Sequence, residues 1–350
     1  MNNFKNKYMR GINLGGWISQ YRRGLKIGDS HFDDFITEKD IEQISGWGLD
    51  HIRLPVDYMI FEADENPGIY DVAGLDYIDK CIEWCKKYGL NLIIDLHHAP
   101  GFSFHTLATN TLFTDEKMQK RMTDIWVNFA RRYINEGDNL CFELMNEIVE
   151  PDSSRWNALA GKIVEKIREV DKTRIILIGG NSYNSVSELK NIAIIENDDY
   201  IVYNFHFYEP MLLTHQMAGW NKFNMDYGLK PLYPSVFPGI AEFIEKFPQY
   251  SGFEKYDGLY VDIEILKEYL KPALEFMANN PDKLLYCGEY GVIDVCDLQS
   301  RINWHRDFNN LMDEYNICRA VWSYKNMGFK FVGNNSEVYN QELVDIISGK

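Results

Sequence analysis

Long hydrophobic runs are missing from this chain of 350 residues, and no stretch approaches the 18 or so apolar residues of a membrane-crossing helix. The start, MNNFKNKYMRGINLGG, carries neither an apolar core nor the small-residue cleavage site of an export signal. The expectation is an intracellular protein, or one from which a signal has been removed. Positive charge is also short. Lys and Arg number 36 against 52 Asp and Glu, a net charge of −16, which repels phosphate backbones and anionic lipids, so neither nucleic acid nor a membrane is an expected partner. Cysteine is sparse: the six residues at 81, 85, 141, 287, 296 and 318 do not make a close-spaced framework, and buried free thiols are expected. Cys81 and Cys85 stand four apart on one helix, yet no further His or Cys pair follows at zinc-finger spacing. Glycine-rich phosphate loops are absent after every candidate strand, which removes the main support for nucleotide binding. With 45% apolar and 25% charged residues, the chain is too close to the globular average to be disordered or fibrous.

What is present is an alternation of short β-rich runs with helical stretches, the pattern of a parallel α/β protein. Eight strands are predicted: Tyr8–Leu14, His51–Leu54, Leu92–Leu96, Leu140–Met145, Arg174–Ile178, Tyr200–Phe205, Leu284–Gly288 and Ala320–Ser323. Between them lie amphipathic helices. Thr37 and Asp40 form a start signal with Ile41 and Ile44 facing inward and Gly48 as the stop; Ile78, Ile82 and Cys85 precede Gly89; Trp156, Leu159, Ile163, Ile167 and Val170 make one stripe. Eight such units over 1–350 favour one closed (β/α)8 TIM barrel over an open sheet. One interval breaks the rhythm: roughly 75 residues separate the sixth and seventh strands, against a few tens in an ordinary repeat. Residues 209–255, with Trp220, Tyr227, Tyr233, Phe237 and Tyr250 among several prolines, are expected to form an inserted subdomain that roofs a cleft or passively covers the barrel.

In a barrel of this kind chemistry sits where strands end at their C-terminal side. The polar residues there are Arg53, His97 with His98, Asn146 with Glu147, His206 with Tyr208, Glu289 and Trp322. For either glutamate alone, a surface salt bridge is the simpler account. Two on a face shared with Arg, His, Tyr and Trp suit glycoside hydrolysis, in which one carboxyl protonates the leaving oxygen and the other attacks or stabilises an oxocarbenium-like carbon. Burial and like charge would raise the acid, while Arg53 and the Tyr208 hydroxyl would keep the nucleophile ionised. Asn146 is placed to meet a sugar 2-hydroxyl, and Trp322 to offer a ring face.

The segments INLGGW, HIRLPVDY, IIDLHHAPG, FELMNEIVEPD, VYNFHFYEP, YCGEYGV and AVWSYKN together resemble glycoside hydrolase family 5, the cellulase-like retaining hydrolases, nearly end to end. Within it the chain looks closest to clostridial endoglucanases with an insertion after the sixth strand, which ITEKDIE, CIEWCKKY and EPDSSRWN also resemble. The resemblance implies a (β/α)8 barrel, Glu147 as acid/base and Glu289 as nucleophile. It also implies supporting roles for Arg53, His97, Asn146, His206, Tyr208 and Trp322. Ile148 departs from the Pro or Val usual after the Asn-Glu pair, which bears on loop shape. For His98 a neighbouring sugar subsite and a loop-carbonyl bond both stay open. The implied substrate is β-1,4-glucan, including mixed-linkage glucan, with glucomannan or mannan as the alternative; no cofactor is implied, and a monomer is expected.

Two rivals of other classes follow from the same residues. A zinc hydrolase would need His97, His98, His206, Glu147 and Glu289 to converge, but no strand offers an H-x-H pair, and adjacent His97 and His98 point to opposite sides if extended. A non-catalytic glycan-binding barrel would have no need of both carboxylates.

Overall fold

The computed structural model describes residues 3–350. Eight parallel strands close into a barrel: β1 (Arg10–Asn13), β2 (His51–Asp57), β3 (Asn91–His98), β4 (Leu140–Glu143), β5 (Ile175–Gly179), β6 (Ile201–Phe207), β7 (Leu284–Tyr290) and β8 (Cys318–Val321), which returns to β1. The outside carries α1 (Glu38–Trp47), α2 (Val72–Lys87), α3 (Glu116–Arg132), α4 (Ser154–Arg168), α5 (Ile263–Asn279), α6 (Leu298–Glu314) and α7 (Gln341–Ser348). Between β5 and β6 the helix position holds only short pieces among the described residues, the turn Asn181–Asn184 and the 3-10 segment Val186–Asn191. The sequence signals act as expected. The Thr37 N–H donates to Asp40 Oδ2 at 2.8 Å and Gly48 ends α1 at φ +89°, a left-handed stop that favours glycine. Ile78, Ile82 and Cys85 on α2, and Trp156, Leu159, Ile163 and Ile167 on α4, are buried. All six thiols are free and buried.

Side chains fill the barrel in layers, because alternate strand residues point inward. Phe4 and Tyr8 stack at 4.7 Å and plug the N-terminal end; with Ile93, Cys141, Tyr286 and Ala320 they form an apolar cluster of their own. Tyr8 thus belongs to this floor and not to the first strand. Above it lies a polar layer of Asn13, Arg53, Asp95, Glu143 and Asn204, all fully buried. Over that layer the C-terminal end opens.

Two register slips shape this end. On β3, Val56 pairs with Leu96 but Asp57 pairs with His98, so His97 is an extra residue. On β7, Phe205 pairs with Cys287 but His206 pairs with Glu289, so Gly288 is extra. Each slip turns the following side chain to the same side as its predecessor, which regular alternation forbids. Gly288 permits this, because a β-carbon there would meet the Asn204 amide at 2.8 Å. β4, by contrast, stops at Glu143 rather than Met145, so Asn146 and Glu147 stand on the loop beyond it.

The insertion between β6 and α5 contains the helices Met211–Thr214, Lys222–Tyr227 and Ile240–Lys246, the turns Pro248–Tyr256, and a ribbon pairing Ser235–Val236 with Tyr260–Val261. The ribbon carries it past residue 255. Tyr227, Tyr233 and Phe237 are buried within it or against the barrel. Tyr233 donates to Asp307 of α6 at 2.9 Å, while Trp220 stays 65% exposed.

Candidate active site

Arg53 organises the polar layer. Its guanidinium makes a two-pronged pair with Glu143 (Nε–Oε2 and Nη2–Oε1, both 2.7 Å) and donates from Nη1 to Asn13 at 2.9 Å and to Glu289 Oε1 at 2.7 Å. From Nη2 it also donates to Asn146 Oδ1 at 2.8 Å and lies 3.1 Å from Asp95 Oδ2. Planar, fixed donors of this kind suit carboxylates better than an ammonium would. Burial pushes both Asp95 and Glu143 up to about 7, against the pull of Arg53.

Glu289 and Glu147 meet above this layer with unequal support. Glu289 accepts at both oxygens, from Arg53 and from the Tyr208 hydroxyl at 2.9 Å. Glu147 bonds to His206 Nδ1 at 3.1 Å, and its side chain keeps 14% exposure. Burial, and then the neighbouring Glu289 charge, hold Glu147 well above the usual carboxylate range. Burial raises Glu289 too, but Arg53 and Tyr208 oppose it. Of the two, Glu147 is the group that keeps a proton and Glu289 the anion. His206, lowered far below its ordinary range by burial, is neutral.

The other predicted residues gather at the same mouth. His97 donates or accepts at Nδ1 with Asp95 at 2.7 Å, and its ring stacks on Trp322 at 5.7 Å and 3°. His98 pairs with Asp57 at 2.6 Å and stacks on Phe104 at 4.8 Å; its partner is a carboxylate, not a loop carbonyl. The two histidine rings lie only 5.7 Å apart, against the expectation that adjacent residues diverge, because the slip at His97 brings His98 back. Asn146 turns its oxygen to Arg53, which leaves its amide N–H groups for a ligand. Among the described residues, Glu147, His206 and Glu289 bring donor atoms within 4.8 Å of one another. Yet the donors that a zinc site would recruit are otherwise engaged: His97 and His98 each hold a carboxylate, and Arg53 already lies on Glu289.

Asp95, Glu143, Asn13, Asn204 and Asp57 were not singled out from sequence. The available signal was acid inside the apolar runs LIIDLHH and LCFELM, since a carboxylate in a strand buried on both faces must be paired.

A parallel eight-stranded barrel whose open end gathers two carboxyl groups, an arginine and aromatic rings has the layout of a barrel hydrolase. Residues 11–328 match the model of the cellulase family, glycosyl hydrolase family 5, and the chain belongs to that family. It is 53% identical over 341 residues to endoglucanase C of Acetivibrio thermocellus, which covers 97% of this chain and 98% of that protein. It is 37% identical over 315 residues to cellodextrinase A of Ruminococcus flavefaciens, covering 89% and 84% respectively. The fold is shared with endoglucanase Cel5A of Thermotoga maritima, with a TM-score of 0.78 at 23% identity over 98% of each chain.

Proposed function

We propose that this family member is a retaining, endo-acting hydrolase of β-1,4-glucosidic bonds in cellulose derivatives and mixed-linkage β-glucan, with Glu289 as nucleophile and Glu147 as acid/base. The observation that carries the reading is the unequal support of two carboxyl groups whose oxygens approach within 4.8 Å. Oxygens this near fit direct attack by one carboxylate, whereas inverting enzymes set their carboxyl groups roughly 6.5–9.5 Å apart to leave room for an attacking water. Endoglucanase C, 53% identical across 97% of the chain, supports the glucan assignment.

In the first step Glu147 gives its proton to the glycosidic oxygen while a Glu289 oxygen bonds to the anomeric carbon. The bond to the leaving chain breaks, its electron pair remaining on the protonated oxygen. In the second, Glu147, now anionic, takes a proton from water, whose oxygen displaces Glu289 from the same carbon. Two inversions retain the configuration. Arg53 and Tyr208 orient Glu289 and receive its charge again when the covalent bond breaks, while Asn146, His97 and Trp322 frame the sugar.

Proton NMR of the first product on a soluble cello-oligosaccharide should show the β-anomer appearing ahead of the α-anomer; the reverse order sinks the nucleophile assignment. Comparing carboxymethyl-cellulose, lichenan and glucomannan tests the substrate, and a higher kcat/KM on glucomannan would reassign it.

A further inference from the structure

Arg53 is held more heavily than its position requires. Glu143 alone satisfies Nε and one edge of Nη2, and Asn13 and Asn146 take up further donors. Asp95 nevertheless stands beside it, fully buried, in register with Glu143 across β3 and β4. Its Oδ2 serves His97 and Arg53, but its Oδ1 has no partner. An unpartnered carboxylate oxygen in a barrel interior is costly to the fold. Its second effect is electrostatic: one guanidinium faces Asp95, Glu143 and Glu289 at once, so each acid weakens what Arg53 does for the others.

The surroundings leave few other charges to compensate. Asp95 faces Arg53 and Asp57 from β2, and His97 and His98 from its own strand. Glu143 faces Arg53, Asp95 and the Tyr286 phenol of β7, with Asn204 of β6 donating to Oε1 at 2.8 Å. Toward the mouth stand Glu147, His206, Tyr208 and Glu289. Burial keeps His97 and His206 neutral and the Tyr208 phenol protonated. Asp95 and Glu143 both act to raise Glu147 and Glu289.

We propose that Asp95 and Glu143, which touch no substrate, are positioning residues that divide the charge of Arg53 with Glu289 and thereby set the pH window of the reaction. This rests on the roles given above to Glu147 and Glu289. The acid limb of kcat/KM reports the nucleophile losing its proton, and the alkaline limb reports the acid losing its own. Removing one nearby negative charge lets Arg53 favour the remaining anions, so both limbs move toward lower pH together.

The test is the kcat/KM profile of wild type, Asp95→Asn, Asp95→Glu and Glu143→Gln on a soluble cello-oligosaccharide. In Asp95→Asn both limbs should shift down by roughly one pH unit, the scale of a unit charge several ångströms away in a protein interior. Asp95→Glu, which keeps the charge, should restore the wild-type limbs even at a lower rate. Glu143→Gln should shift in the same direction. A slower Asp95→Asn whose limbs coincide with wild type overturns the inference, as does failure of both neutral variants to fold, which would make the two acids purely structural. Glu289→Ala serves as the separate control: if it still hydrolyses at the wild-type rate, the catalytic reading fails, whereas an inactive Glu289→Ala with unmoved limbs in Asp95→Asn refutes only this inference.

Discussion

At the scale of single residues, the decisive comparison is between two glutamates of one chemical type. Glu289 has two strong donors, and Glu147 has one neutral histidine and a neighbouring anion. The difference lies in what surrounds each carboxyl. Arg53→Lys tests this directly, because an ammonium cannot make the two-pronged contact with Glu143 and also reach Glu289 and Asn146. We expect kcat to fall by about 100-fold or more, in line with the loss of one preorganised charge-stabilising donor, with KM changed far less. A single-turnover measurement showing an unchanged chemical step would contradict the role assigned to Arg53.

Elements decide whether those residues meet. Apolar strand runs, cap signals and helix stripes were legible in the sequence, because burial and 3.6-residue periodicity act locally; the eight strands follow from them. The slips at His97 and Gly288 were not, since register depends on the neighbouring strand and no local pattern records it. That is why His98 was expected to turn away; Asp95 and Glu143 lie in regular register, and their signal was the acid inside an apolar run. The motif residues themselves were visible, but the contacts joining them arise only when the barrel closes. Gly288→Ala probes one slip. Its methyl would collide with the Asn204 amide at 2.8 Å, and that amide also holds the Gly288 N–H at 2.9 Å and Glu143 at 2.8 Å. A destabilisation of roughly 1–3 kcal/mol is expected from the overpacking, with a loss of activity exceeding what the fraction unfolded explains. Denaturant titration beside initial rates separates the two.

For the molecule as a whole, buried histidines make stability depend on pH. His215 and His305 are lowered to about 4 and about 3 by burial, so the unfolded chain gains protons there first as pH falls, and the stability they lend near neutral pH is lost toward pH 4 and below. The floor formed by Phe4 and Tyr8 has a consequence of another kind. A barrel stoppered at one end is a cup, and a polymer cannot thread it; a glycan reaches Glu147 and Glu289 only from the open rim. If it lies across that rim with both tails free, as the proposed endo action requires, viscometry of carboxymethyl-cellulose should show the solution thinning early, while few reducing ends have yet been released.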